Sequence, residues 1–233
     1  MIPFLILLGV LLIGVVISAT SYGRLVKLYK KYSKQESNLR ITALTLTQQI
    51  IEHYKLPTQI MLTDGFLSDA YLIKKDIVVL SEDVANGRSV ADLSVACHEI
   101  GHAMQKEDES AWLSIQMLFS FLKKLANFFM PIAFVIGLVL IFIPNYFNIA
   151  LTLFCVTIGL WIITFLFKII LIPLELNASK RAYNILKDNK LFDKKELKIC
   201  KKILSAAALT YIGSLFAGLY KIWYKIKKSF RRD

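Results

Sequence analysis

Long uncharged apolar segments alternate with polar, basic segments along the chain, and this pattern predicts a membrane protein. The first apolar segment, residues 2–19, contains no charged residue. Basic residues follow this segment, beginning at Arg24, which favours a retained anchor over a cleaved signal peptide. The excess of Lys and Arg on that side predicts an external N-terminus and a cytoplasmic continuation.

Two further apolar segments, residues 125–144 and 148–167, each have about the 20 residues that a helix needs to cross a bilayer. No charged residue lies between them, whereas Lys123, Lys124 and Lys168 lie at their outer ends. The bias of basic residues toward the cytoplasm therefore predicts a transmembrane hairpin with an external turn.

The residues between the anchor and the hairpin have the pattern of a mixed α and β region. Apolar residues at helical spacing predict an amphipathic helix over residues 36–54. Asp64-Gly65 is a hairpin-type turn signal, and residues 76–80, DIVVL, are the clearest strand candidate. These features predict a small, partly antiparallel sheet.

Two helices are predicted from local signals later in the chain. Ser89 followed by Asp92 has the spacing of a capping box, which predicts a helix from there to about Lys106. The apolar segment at residues 203–220 is ambiguous. If it crossed the membrane, the basic tail would be external, so we favour a helix that is packed on the cytoplasmic domain or interfacial.

Composition supports this membrane interpretation and excludes some alternatives. The chain has 233 residues, of which 56% are hydrophobic, and a net charge of +12. Basic residues crowd the predicted cytoplasmic flanks, where orientation and anionic lipid account for them. Since no nucleic-acid motif is present, we expect no nucleic-acid partner. The three scattered cysteines suggest no disulfide framework, as is typical of a reducing cytoplasm.

The segment HEIGH, residues 98–102, carries the candidate chemistry. Because His98 and His102 are four residues apart, they share one face of the predicted helix and can bind one metal ion. Glu99 lies beside them, where its carboxylate can reach a water molecule without replacing it. This is the arrangement of zinc peptidases, with Glu99 as general base. Gly101 costs roughly 1 kcal/mol in a helix, which favours close packing of another helix there.

A catalytic zinc ion needs a third protein ligand, and the residues alone leave this choice open. His53 is the third histidine of the chain. Asp108 stands where a longer metzincin pattern has its last histidine, although Gln105 replaces that pattern's glycine. Glu175 lies at the cytoplasmic end of the predicted hairpin, where a carboxylate beside lipid is costly. It therefore faces protein or a cation, or it pairs with Lys168.

Three segments together resemble the YugP-type neutral zinc metallopeptidases of bacterial membranes. They are residues 78–105, ending in CHEIGHAMQ, residues 171–186, LIPLELNASKRAYNIL, and residues 203–215, ILSAAALTYIGSL. The resemblance covers nearly the whole chain, because anchor, catalytic region, hairpin and tail follow in the same order. It implies that Glu175 is the third ligand, with His98 and His102, of one Zn²⁺ per chain.

The chain also departs from related patterns at two places. It is similar to the ligand segment E-x-x-x-D of HtpX-like membrane peptidases, but Ser179 stands where those proteins have aspartate. The family's segment L-T-D-H-Y-D-P corresponds to LSDAYLIKK, residues 67–75, where Asp69 matches but the histidine and second aspartate are absent. The resemblance therefore leaves substrate contacts in this segment unassigned.

Taken together, we predict an α-helical membrane protein with a cytoplasmic zincin-like α+β domain split around a transmembrane hairpin. That domain combines a small β-sheet with the H-E-x-x-H helix. The predicted parts are an anchor (1–19), a catalytic region (20–124), the hairpin (125–174), a third-ligand helix with a basic segment (175–202), and an apolar helix with a basic tail (203–233). We expect a multi-pass protein of the cell membrane whose catalytic region faces the cytoplasm.

The expected activity is hydrolysis of peptide bonds in a protein or peptide substrate. Zinc activates water, and Glu99 takes its proton and later passes one to the leaving amine. The strand at residues 76–80 is predicted to be an edge that receives an extended substrate. Tyr211 is a candidate for stabilising the oxyanion, or a buried tyrosine with a local hydrogen bond. The alternative function is an inert zinc-binding membrane scaffold or adaptor.

Overall fold

The chain folds mostly into helices, with one small mixed sheet. A computed structural model describes these residues: 16, 20–108 and 111–213, of which 111–116, 165, 168, 170 and 209–213 are described by backbone alone. The described residues form two compact units, one within residues 1–110 and 172–233 and the other within 111–171. The predicted anchor, apart from Val16, lies outside the described residues. The basic tail after residue 213 lies outside them as well.

The elements follow one another in a largely α-helical order. The helices are α1 (residues 20–32), α2 (Ala43–His53), α3 (Glu82–Asn86), α4 (Val90–Glu107), α5 (Ala111–Leu140), α6 (Phe147–Asp188) and α7 (Lys194–Gly213). The strands are β1 (Gln59–Thr63), β2 (Ala70–Leu72) and β3 (Ile77–Ser81).

The sheet has the order β1-β3-β2, with β1 parallel and β2 antiparallel to β3. The partly antiparallel sheet is therefore confirmed, but the prediction that residues 76–80 form an edge is wrong. Val78, Val79 and Leu80 are all buried, as is typical of a strand covered on both faces. The chain passes from β1 to the far side of β3, so β3 lies in the middle.

The expected hairpin at Asp64-Gly65 is also wrong. These residues lie between β1 and β2, which do not pair with each other. The hairpin joins β2 to β3 instead, and its turn includes Asp76, whose φ of 55° lies in the left-handed region. A turn signal in the sequence does not specify which strands it connects.

Side-chain caps fix where α2 and α4 begin. Thr42 accepts a hydrogen bond from the Thr45 backbone, so α2 starts at Ala43, later than the predicted residue 36. Ser89 and Asp92 form the predicted capping box of α4, which is confirmed. The hydroxyl of Tyr29 donates to the same aspartate, Oη to Oδ1 2.6 Å, and thereby ties α1 to the start of α4.

Helix α4 lies in the middle of the first unit, packed against α2, α7 and the sheet. Its side chains Leu93, Cys97 and Ile100 are fully buried, and they share the core with Leu46 of α2 and Ile203 of α7. Burial on several sides explains why most of this helix is apolar. The first residues of the ambiguous segment 203–220 therefore belong to the core, while its side chains from residue 209 onward lie outside the described part.

The second unit contains two apolar helical segments, both long enough to cross a membrane. Within the described residues these segments are Met117–Leu140 and Phe147–Thr164, with 24 and 18 residues. Most of their large apolar side chains are exposed, among them Phe128, Val135 and Ile163. An apolar surface of this extent is unusual in a soluble protein and supports contact with lipid. The turn at residues 141–146 starts earlier than predicted, because α5 already ends at Leu140.

Candidate metal centre

Three side chains of the first unit converge between two helices. Helix α4 carries His98 and His102, and α6 carries Glu175. The Nε2 atom of each histidine lies 3.5 Å from Oε2 of Glu175. The three potential ligand atoms all lie within 4.8 Å of one another, so the described residues include one group that could hold a metal ion.

The donor set fits a zinc ion in both geometry and charge. Two tetrahedral ligands with zinc bonds of about 2.0–2.2 Å lie about 3.3 Å apart, close to the two distances of 3.5 Å. Burial alone would lower the pKa of His102, but the hydrogen bond and charge of Glu175 raise it to about 8. Burial would raise the pKa of Glu175, but the two histidines lower it to about 2. The site therefore favours a positive charge at this point.

Gly101 brings the two helices close enough for the three side chains to meet. A β-carbon on this glycine would lie 2.5 Å from the backbone oxygen of Ala178 on α6. Only a residue without a side chain allows this approach, so the prediction of close helix packing at Gly101 is confirmed. Because Ala178 follows Glu175 by about one helical turn, the contact sets the distance of the carboxylate from α4.

Each imidazole also has a partner on its other nitrogen. The Nδ1 atom of His102 lies 2.9 Å from Oε1 of Gln105, and Nδ1 of His98 lies 3.3 Å from Oγ of Ser179. Such partners orient metal-binding imidazoles. The partner of His98 is therefore a neutral hydroxyl, that of Ser179, at the position where HtpX-like peptidases have an aspartate. Gln105 is the last residue of the segment CHEIGHAMQ that resembles the family, but the sequence did not indicate that it contacts His102.

Glu99 is buried beside this group and has an unusual electrostatic environment. It is 8% exposed, and within the described part of the chain no hydrogen bond reaches its carboxylate. Burial raises the pKa of Glu99, the two histidines lower it, and the charge of Glu175 raises it. A raised pKa makes a carboxylate a stronger proton acceptor, as a general base requires.

His53 and Asp108, the other ligand candidates from the sequence, are not among the three converging side chains. His53 is exposed on α2, where its ring packs edge to face against Tyr54. Asp108 pairs with Arg181, Oδ2 to Nη2 2.6 Å. The side chains of Lys168 and Tyr211 lie outside the described residues, so the pairing of Lys168 with Glu175 and the oxyanion role of Tyr211 are still predictions.

Asp69, the residue of LSDAYLIKK that matches the family's segment, forms hydrogen bonds with Ser81. Its carboxylate accepts hydrogen bonds from the backbone nitrogen and the hydroxyl of Ser81, at 2.8 and 3.1 Å. Burial raises the pKa of Asp69, and these hydrogen bonds partly offset that effect. The contact joins the residue before β2 to the end of β3.

An H-E-x-x-H helix that faces a glutamate on a second helix, in a chain with two apolar helices, defines a candidate metal-binding membrane protein. The chain belongs to the family described as "Putative neutral zinc metallopeptidase", which it matches over residues 5–229. It is 30% identical over 197 residues to the "Putative membrane protease YugP" of Bacillus subtilis (strain 168), covering 83% of each chain. No solved structure matches the chain. The family resemblance seen in the sequence is thus confirmed.

Proposed function

We propose that this chain is a membrane-anchored zinc metallopeptidase that hydrolyses peptide bonds in a protein or peptide substrate. The observation that carries the proposal is the buried carboxylate of Glu99 beside the converging His98, His102 and Glu175. Membership in a family described as zinc metallopeptidases supports this activity. The name of the Bacillus relative, a membrane protease, supports it as well.

In this proposal the site residues have the two roles found in a glutamate-type zincin, metal binding and proton transfer. His98, His102 and Glu175 would hold the ion, which when bound supplies a Lewis acid and lowers the pKa of water. The carboxylate of Glu99 takes the proton of the attacking water and returns one to the leaving amine. Burial suits Glu99 to both steps, because it raises the pKa of this carboxyl from its usual acidic range.

An extended substrate would add to the sheet at β2 rather than at β3. Strand β3 has neighbours on both sides, whereas β2 is an outermost strand among the three described. Helix α4 packs against β2 as well as β3, so a peptide along β2 would run beside the helix that carries the H-E-x-x-H segment. Backbone hydrogen bonds would then hold many different sequences in the same register.

The catalytic region is proposed to face the cytoplasm of a multi-pass membrane protein. The two described apolar segments and the membrane protein relative support attachment to a membrane. The basic residues that flank the apolar segments support the cytoplasmic orientation, because such residues are enriched on that side.

The test is a comparison of wild type with Glu99→Gln, both purified as full chains in detergent and loaded with zinc. Glutamine keeps the size of the side chain but cannot accept the proton. We expect unchanged zinc content and cleavage of a broad protein pool lowered by about 10²–10⁴-fold. Glu52→Gln, a change of an exposed glutamate on α2, serves as the matched control and should cleave as the wild type does.

A chelator should abolish the wild-type cleavage, and added zinc should restore it. If wild type and Glu99→Gln both carry zinc and give the same cleavage pattern, the proteolysis does not come from this site. Zinc binding without any hydrolysis would favour the alternative function, an inert zinc-binding scaffold or adaptor.

A further inference from the structure

Gln105 carries a fully buried side-chain amide that contacts His102 of the candidate metal centre, and the proposed reaction does not use it. The residue is 1% exposed. A buried amide is costly unless its donors and acceptor are paired. The amide of Gln105 makes three hydrogen bonds of 2.9 Å each: with Nδ1 of His102, with the backbone oxygen of Leu174 and with Oδ1 of Asn177.

The partners on α6 determine which way this amide points. The carbonyl oxygen of Leu174 can only accept, so Gln105 must present its NH₂ group to it. The contact with Asn177 requires the same orientation. Nε of Arg181 can only donate, so the Asn177 atom that it contacts is the oxygen Oδ1, and Gln105 must donate to that oxygen as well. The carbonyl Oε1 of Gln105 is therefore left to face His102.

An acceptor at this point selects one tautomer of the neutral imidazole. Nδ1 of His102 must carry the proton in order to donate to Gln105. The lone pair is then on Nε2, the atom that lies 3.5 Å from Glu175. His98 differs, since its partner is the Ser179 hydroxyl at 3.3 Å, which can donate or accept and selects neither tautomer.

The amide of Gln105 also holds α6, the helix that carries the third candidate ligand, Glu175. Leu174 immediately precedes Glu175, and Asn177 follows it in the next half-turn of α6. Two hydrogen bonds from one side chain of α4 thus hold the backbone on one side of Glu175 and a side chain on the other.

We propose that Gln105 is a positioning residue that sets His102 in its metal-binding tautomer and holds Glu175 beside it. The proposal rests on the proposed function in one respect, since it takes the site to be a metal centre. Its test does not require hydrolysis, so the two proposals can fail separately.

The decisive experiment compares wild type with Gln105→Leu, which has a similar volume but neither donor nor acceptor. Imidazole ¹⁵N spectra of histidine-labelled, metal-free full-length protein in detergent report the tautomer directly. The chain has only three histidines, and His53→Ala assigns one of them. Spectra are recorded well above the pKa of about 8 of His102, so that the ring is neutral.

We expect the Nδ1–H tautomer of His102 in the wild type and its loss in Gln105→Leu. Zinc affinity, measured by competition with a chelator, should fall by about 10–100-fold in the variant. Gln49→Leu, a change of an exposed glutamine on α2, should alter neither measurement. If Gln105→Leu keeps the Nδ1–H tautomer, the proposal is overturned, even where zinc affinity falls.

A second pair of variants tests the proposal should Gln105→Leu fail to fold. Asn177 is exposed, so its replacement should leave the fold intact. Asn177→Ala removes one acceptor that orients the Gln105 amide, and we expect mixed tautomers of His102 and weaker zinc binding. Asn177→Asp keeps an acceptor and should restore both properties. Identical spectra and affinities for wild type and both variants would overturn the proposal.

Discussion

A β-carbon on Gly101 would lie 2.5 Å from the backbone carbonyl oxygen of Ala178, so the two helices of the candidate site touch backbone to backbone at this point. Gly101 immediately precedes His102, and Ala178 follows Glu175 by three residues. The contact therefore sets the spacing between the ligand candidates of α4 and the one of α6.

Gly101→Ala should accordingly damage the metal site as well as the fold. The obstructing atom is backbone rather than the end of a flexible side chain, so relief requires movement of α6 away from α4. Overpacking of this kind costs typically about 1–3 kcal/mol of unfolding free energy. We expect a lower melting temperature and weaker zinc binding, measured by thermal unfolding and by chelator competition.

Gly159 offers a matched control for that variant. It also lies within a helix, α6, but an added β-carbon would meet no atom within 4 Å among the described residues. Gly159→Ala should be neutral or slightly stabilising, because alanine has a higher helix propensity than glycine. If both variants bind zinc as the wild type does, the close approach at Gly101 does not position the ligands.

The local features of the site could be predicted from the sequence because each depends on neighbouring residues. The spacing of His98 and His102 and the capping box at Ser89 both act within one or two helical turns. Close packing at Gly101 was predicted because glycine lowers the stability of a helix and so needs a compensating reason. The structure shows that reason, since the backbone of Ala178 leaves no space for a side chain. These predictions needed no information on the tertiary fold.

The features that depend on distant segments could not be predicted in the same way. The residues alone left Glu175 open, since nothing in them specifies which turn of α6 packs on α4. Only the family resemblance singled it out. The central position of β3 depends on a crossover from β1 that the turn signal does not encode. The orientation of the Gln105 amide toward His102 depends on Leu174 and Asn177, which lie on another helix.

The ligand set can be tested by alanine substitutions. Glu175→Ala should lower zinc occupancy about as much as His98→Ala, because each removes one of three converging donors. Loss of a direct ligand should cost at least the roughly 10–100-fold typical of an outer partner. His53→Ala and Asp108→Ala should leave occupancy nearly intact, as measured by metal analysis. Loss of zinc in Asp108→Ala but not in Glu175→Ala would contradict the ligand assignment.

Asp76 links the β2–β3 turn to the last turn of α4 and should make stability dependent on pH. Its carboxylate accepts hydrogen bonds from Lys106, Tyr71 and Thr58, at 2.6, 2.7 and 2.7 Å. Burial raises the pKa of Asp76, but these hydrogen bonds and the lysine charge outweigh that effect and lower it. Asp76→Asn keeps a residue type that tolerates the positive φ while it removes the charge.

At neutral pH Asp76→Asn should lose about 1–2 kcal/mol of unfolding free energy, allowing for partial exposure of Lys106. A lowered folded-state pKa stabilises above the unfolded value of about 3.9, and this contribution disappears as pH falls through the folded-state pKa. Melting temperatures of the metal-free proteins should therefore converge in acid. Asp64→Asn, an exposed control, should follow the wild type throughout. A gap between wild type and Asp76→Asn that is independent of pH would refute the role of this charge.

The orientation in the membrane can be tested with reporter fusions at three exposed turns or helix ends. Asn86 ends α3, Asn145 lies in the turn between α5 and α6, and Lys190 follows α6. The residues around Asn145 carry no charge, whereas Lys123, Lys124 and Lys168 lie at the outer ends of the two apolar segments. The bias of Lys and Arg toward the cytoplasm therefore predicts the side of each position. Fusions at Asn86 and Lys190 should report the cytoplasm, and a fusion at Asn145 should report the exterior. An external Asn86 would reverse the orientation and place the candidate metal centre outside the cell, where cytoplasmic proteins could not be its substrates.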